Sequence, residues 1–357
     1  MDNSHEYLKK QQKLLSRKLR KKALKQKKAP RQWRTLDKTI VIFFIALVSL
    51  MFVDRAPKNF TPEWGFSFSK AQAESLGLNW AESFESMLRD LPALSRIRIS
   101  AYWPEVEPQK AVYDFQALDG QIALAQKYHK KITLALGYRL PRWPECHFPD
   151  WINNLSLDKR HKAVLNIIEK IATRYQGVAE VARWQIENEP FLSVFGKCPA
   201  LDKNLFQQEI GLIKNIDSRP ILLTDSGELG AWHRAAKLAD VFGTTLYRTV
   251  SLPWGSYLNY FFIPPGFYRL KARLLVGSID KTIISELQAE PWSENKLLTQ
   301  LSPAEINKSL SPQQLKDNLE FARQTGFKEV YLWGAEWWYY MKQHGQPEYW
   351  DIIKNLK

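Results

Sequence analysis

From residue 63 onward, short apolar runs alternate with amphipathic stretches, the pattern of strands feeding helices rather than of hairpins. Strands are expected at 65–69 (GFSFS), 96–100 (RIRIS), 131–136 (KITLAL), 178–186 (VAEVARWQI), 220–224, 241–246, 282–286 and 328–333. Helices are expected at 71–91, 115–128, 157–175, 202–214, 231–238, 269–276, 312–325 and 349–356. Along 157–175, Val164, Ile167, Ile168 and Ile171 repeat at helical spacing and form one apolar face. Gly326 is a stop signal for the helix over 312–325. Eight strand–helix pairs are the count for a (β/α)8 TIM barrel of class α/β. The competing open, doubly wound sheet calls for a glycine-rich phosphate turn after its first strand, and FSFSKAQAE has none.

The amino-terminal residues follow a different pattern. Residues 1–38 carry 14 Lys/Arg against three acidic residues, a net +11 of the chain's +14. The basic balance therefore belongs to the tail, and with only +3 on the remainder a nucleic-acid-binding reading of the domain loses its main support. Residues 39–53 then run without a charge between Lys38 and Asp54. This apolar run is expected to be a transmembrane signal anchor, although a signal-peptide core can be equally short. The long basic segment before it and the exit FVDRAPKNF, which lacks a small-x-small cleavage site, favour an uncleaved anchor. The positive-inside rule assigns 1–38 to the cytoplasm. The expected organisation is thus a cytoplasmic tail 1–38, an anchor 39–53, a linker 54–62 and a catalytic domain 63–357 on the outer face of the cell membrane.

Cys146 and Cys198 follow two strand ends of one barrel face, so in an exported domain they can pair. Two cysteines without histidine at ligand spacing make no zinc site. No metal or cofactor is implied.

Candidate chemistry gathers at two strand ends. The run VARWQI ends in Asn188, Glu189 and Pro190, and TIIS ends in Glu286. Proline stops a strand, so Glu189 sits at the mouth of the barrel. Two carboxylates facing one another across that mouth suit glycosidic bond cleavage, one as proton donor and the other as nucleophile or base. Glu290 is a rival nucleophile, and Arg98 has an alternative reading as a barrel-bottom ion pair. The aromatic insertion over 251–268 reads as a lid, as an apolar patch against a bilayer, or as a satellite cluster under a long loop.

These landmarks, in order, resemble glycoside hydrolase clan A, the retaining glycosidases built on this barrel. Asn188-Glu189-Pro190 matches the clan's acid/base motif and Ser285-Glu286 its nucleophile. Arg98 lies in IRISAYW, close to the clan's RIPxxW. WPEVEPQKAVYDF, over 103–115, is similar to the WxxxEPxxGxYDF stretch of clan-A β-galactosidases and β-xylosidases. Glu187 departs from the pattern. The resemblance implies Glu189 as acid/base, Glu286 as nucleophile, Asn188 on the sugar 2-hydroxyl, and Arg98 and Tyr247 beside the nucleophile. Trp333 would be a sugar platform, with Trp143 and Trp292 as further stacking candidates. The implied partner is a carbohydrate substrate, and the implied reaction is retaining β-glycoside hydrolysis. A transglycosylase using the same site and a catalytically inactive carbohydrate-binding barrel are the alternatives.

Overall fold

The computed structural model describes residues 16–18, 20–21, 31–252, 254–293 and 296–357. Most of the basic tail lies outside the described residues. Asp54–Lys357 form one compact unit, and the helix Arg31–Val53 belongs to another. Each is described by itself.

Eight parallel strands close a barrel in chain order: β1 (Glu63–Phe68), β2 (Leu94–Ser100), β3 (Lys131–Leu136), β4 (Val181–Ile186), β5 (Ile221–Asp225), β6 (Val241–Leu246), β7 (Thr282–Gln288) and β8 (Glu329–Trp333). All eight pairings are parallel, with β1 hydrogen-bonded to both β2 and β8. All eight expected strands are present, so the TIM barrel follows from the alternation of apolar runs and amphipathic helices.

Local chemistry explains the departures. The helix expected over 71–91 is two helices, Lys70–Ser75 and Trp80–Asp90, because Gly77 adopts φ +74° and the Asn79 side chain caps the second. β4 begins at Val181 and stops at Ile186, so Glu189 stands on the loop beyond the strand rather than at its tip. β7 runs two residues past Glu286. The insertion forms a small hairpin, Thr249–Ser251 against Tyr257–Asn259. The helix after it starts at Pro265, where proline costs no hydrogen bond. Two further helices, Pro303–Ser309 and Ala335–Gln343, carry too little periodicity to be read from sequence.

The long helix Leu157–Tyr175 buries the expected Val164, Ile167, Ile168 and Ile171. At the amino-terminal end of the barrel, Arg183 forks onto Glu329 at 2.6 and 2.7 Å, and Arg96 bonds Glu63 at 2.6 Å. Arg96 and Arg183 therefore fill the role weighed for Arg98, which points to the opposite end. Asp54, the first residue of this unit, pairs with Arg269 at 2.9 Å and also with Arg273. Ala56 N–H donates to the Gln324 carbonyl, so the chain enters beside the start of β8.

The helix Arg31–Val53 is 23 residues long. Its uncharged part is only about 22 Å at 1.5 Å per residue, short of the roughly 30 Å hydrocarbon core. Among the described residues, no helix is long and apolar enough to cross a membrane. The anchor expected at 39–53 is not shown by this helix alone.

The WPEVEPQKAVYDF stretch is a scaffold. Buried Glu107 accepts from the Trp103 indole and from the Ala111 amide, each at 2.8 Å. Ala111, where the related stretch has glycine, sits at φ +63°. A left-handed alanine is strained by roughly 1 kcal/mol. Ala111→Gly is therefore expected to raise the denaturation midpoint, by about 0.5–1 kcal/mol in chemical unfolding. A lower midpoint would show that the turn is not strained.

Candidate active site

The carboxyl-terminal ends of β2, β4, β6 and β7 deliver one connected network. Arg98, from β2, is 1% exposed, so its charge must be met inside the protein. Its Nη1 donates to Glu286 Oε1 at 2.7 Å, its Nη2 to Asn188 Oδ1 at 2.7 Å and its Nε to Gln185 Oε1 at 2.7 Å. Tyr247, just past β6, donates its hydroxyl to Glu286 Oε2 at 2.9 Å. Both oxygens of Glu286 thus receive hydrogen-bond donors, one of them a guanidinium.

Glu189 is treated differently. Its amide donates to Thr224 Oγ1 at 2.9 Å, and its Oε1 accepts from the Thr245 hydroxyl at 3.2 Å. No cation pairs with it among the described residues. Burial first, and the negative charge of Glu286 second, push its carboxyl well above the usual range. One glutamate is paired with a cation and the other has a raised proton affinity, the asymmetry that acid-assisted displacement requires.

The β4 loop that carries these groups is tightly specified. Glu187 (φ +54°) and Glu189 (φ +43°) both occupy the left-handed region. Glu187 accepts the amides of Tyr138 and Arg139 at 3.1 and 2.5 Å. That seat requires Gly137, where a Cβ would lie 2.2 Å from Glu187 Oε1. Glu187 is therefore a brace between the β3 and β4 loops. Cys146 and Cys198 are joined by a disulfide between the same loops, with Cα atoms 5.3 Å apart.

The aromatic candidates divide. Trp143 is 59% exposed and meets Phe195 edge-on at 5.8 Å. Phe195 contacts Trp292 at 6.0 Å, and Trp292 contacts Tyr247 at 5.2 Å. These four rings form a continuous wall from Tyr247 to solvent. Trp333 is 8% exposed, and the Arg142 guanidinium stacks 4.1 Å from its ring centre. One face of that ring is already occupied. Glu290, the rival nucleophile, is committed to Arg142 at 2.5 Å, and Arg142 also bonds Glu336 at 2.7 Å.

Sequence reasoning missed Gln185, Thr245, Arg142, Phe195 and Glu145. Gln185 alone left a signal, since period two places it inside the barrel in WQIENEP. Glu145 is considered below.

The β-galactosidase model of glycoside hydrolase family 42 matches residues 74–208, a segment that carries Arg98, the 103–115 stretch, Asn188 and Glu189. No curated protein matches the chain. Among solved structures, xylanase 10B from Thermotoga maritima is similar at 13% identity and TM-score 0.52, over 81% of this chain and 85% of that one. A β-galactosidase from Bacillus circulans sp. alkalophilus is similar at 12% identity and TM-score 0.51, over 77% of this chain. This chain spans 50% of that enzyme's length. GH5_18 from Streptomyces cattleya, in complex with GlcNAc, is similar at 11% identity and TM-score 0.52, over 77% of this chain and 70% of that one. At these identities the structures speak for the fold alone.

The buried carboxyls also predict how stability depends on pH. Burial pushes Glu187 and Glu145 up to about 8, Glu145 with help from the Glu286 charge. Unfolded glutamate titrates near 4.3. A group raised on folding stabilises fully below its unfolded value and loses that contribution as pH climbs through its folded one. Paired surface carboxylates such as Asp119, where burial is the largest single effect but Arg174 and Tyr175 together outweigh it, and Glu320, held by Arg323, are lowered, and are ionised in both states above about pH 5.5. Thermal melts are expected to give a lower Tm at pH 8.5 than at pH 5.5; a flat or rising profile would contradict the assignment.

The matched segment, 74–208, lies within the eight-stranded parallel barrel and carries the Asn-Glu-Pro motif, so the chain is similar to the glycosidases of glycoside hydrolase clan A.

Proposed function

We propose that the chain is a membrane-tethered retaining β-glycoside hydrolase that acts on an oligo- or polysaccharide outside the cytoplasm. One arrangement carries the catalytic part: Arg98 and Tyr247 both donate to Glu286, while burial and the neighbouring Glu286 charge push the Glu189 carboxyl well above the usual range. In the first step a Glu286 oxygen attacks the anomeric carbon. The bond to the leaving oxygen breaks as Glu189 gives that oxygen its proton. In the second step the Glu189 carboxylate takes a proton from water, the water oxygen bonds to the same carbon, and Glu286 departs as carboxylate. Asn188 is the group for the sugar 2-hydroxyl, a contact that strengthens in the transition state. The ring wall from Tyr247 to Trp143 suits a chain of sugars better than a single one.

For the tether, the support is the uncharged run 39–53 within the helix Arg31–Val53, bounded by Lys38, whose long side chain can snorkel. The tail 1–38 would then stay cytoplasmic by its positive charge. The Cys146–Cys198 disulfide is in keeping with an oxidising compartment outside.

The experiment is hydrolysis of a panel of aryl β-glycosides by the full-length protein. Glu286→Ala is expected to lose at least about 10³-fold in kcat and to regain turnover with azide, giving a glycosyl azide of inverted configuration. Absence of any cleavage by the wild-type protein would leave a carbohydrate-binding barrel. Product of inverted configuration from the wild type would exclude retention.

A further inference from the structure

A third glutamate stands in this site with no role in the scheme above. Glu145 lies on the β3 loop, 5% exposed, and its Oε2 accepts from Asn188 Nδ2 at 2.9 Å. Its position is over-determined. The residue occupies φ +73°, a conformation an ordinary side chain adopts only when its surroundings impose it. Its amide donates to the Arg142 carbonyl at 2.8 Å, and its carbonyl accepts from the Leu140 amide at 2.7 Å. The next residue, Cys146, is tied by the disulfide to Cys198. Gly196 then closes over it: a Cβ there would lie 2.8 Å from Glu145 Cβ and 2.9 Å from its Cγ. Lys197 N–H secures that approach by donating to the Pro144 carbonyl at 2.9 Å.

The contact it makes bears on substrate. Asn188 Oδ1 is taken by Arg98, with Gln185 and Thr224 also directed at it. Its amide nitrogen has two hydrogens, and Glu145 claims one. The other is left in a fixed direction, which sets where a sugar hydroxyl can dock. We propose that Glu145 is a positioning residue of the glycosidase site: it orients the Asn188 amide toward the substrate and, once ionised on the alkaline side, adds a negative charge that helps keep the acid proton on Glu189. The charged and titratable groups around it are Glu286, Arg139 and Arg98, and those around Glu189 are Glu286, Glu145, Asp225 and Arg139. Glu145 adds to the negative field on Glu189, in the same direction as Glu286 and Asp225.

This role rests on the reading of Glu189 and Glu286 as the working pair, and the test separates the two. Kinetics of the full-length protein on a cleaved aryl β-glycoside would be measured from pH 4 to 10 for wild type, Glu145→Gln, Glu145→Ala, Asn188→Ala, the Glu145→Ala/Asn188→Ala double variant and Gly196→Ala, with thermal melts for each. Glu145→Gln can still accept from Asn188 but carries no charge. It is expected to keep kcat/KM within a few-fold at the optimum and to move the alkaline limb about one pH unit downward. Glu145→Ala is expected to lower kcat/KM by about 10–100-fold, and the double variant to be no worse than Asn188→Ala alone. Gly196→Ala, which displaces Glu145 without touching Asn188, should resemble Glu145→Ala. An unmoved alkaline limb in Glu145→Gln, or additive losses in the double variant, would overturn the assignment. Should Glu145→Ala fail to fold, the limb in Glu145→Gln decides. A wild-type protein that cleaves no glycoside removes the pair itself, and the role of Glu145 with it.

Discussion

Everything in the cup is arranged around one buried cation. Arg98 is sealed from water, and its three donors meet a carboxylate, an amide oxygen and a second amide oxygen drawn from β7, the β4 loop and β4. A guanidinium cannot give up its proton in such a place, so its surroundings must supply acceptors in a planar fork. That requirement fixes the side chains of Glu286, Asn188 and Gln185 together. It also accounts for the asymmetry between the two glutamates. The cation is spent on Glu286, and Glu189 is left buried beside a hydroxyl and neighbouring negative charges, which favour its neutral form.

The loop that carries Glu189 shows how such a network is kept in register. Two consecutive odd-numbered residues, Glu187 and Glu189, adopt left-handed backbone angles that cost about 1–3 kcal/mol each. Compensation comes from long-range bonds: Asn188 N–H to the Arg139 carbonyl at 2.6 Å, Glu187 to two β3-loop amides, and Glu189 N–H to Thr224. The β3 and β4 loops therefore behave as one braced unit. Glu187, which breaks the expected motif pattern, belongs to that brace rather than to the chemistry.

What could be read from the sequence follows from what is local. Strands such as KITLAL and helices such as 157–175 announce themselves by apolar spacing, and Asn-Glu-Pro after an apolar run marks a strand end whatever the rest of the chain does. Glu189, Glu286, Arg98 and Tyr247 could be nominated because each sits at the end of, or within, such a run. Glu145 and Arg142 could not. They lie in PRWPEC, a loop without periodicity, and their partners are 43 to 194 residues distant in sequence. Trp333 illustrates the converse: its place at a strand end was legible, whereas the guanidinium lying on its ring was not. The break at Gly77 and the helix Ala335–Gln343, nearly all buried, were hidden for a simpler reason, since neither leaves an amphipathic pattern.

The entry of the chain into the barrel unit has its own consequence. Asp54 is clasped by Arg269 and Arg273, and the carbonyls of Pro57 and Lys58 are gripped by Arg323 at 2.9 and 3.0 Å. This clasp lies beside the amino-terminal rim of the strands, the pole opposite the cup. A pull on whatever precedes Asp54 is borne by three arginines and the outer helices that carry them, and none of it runs through Glu189, Glu286 or their supports. The point where the chain enters this unit and the point where its buried carboxyls gather thus lie at opposite poles of the barrel.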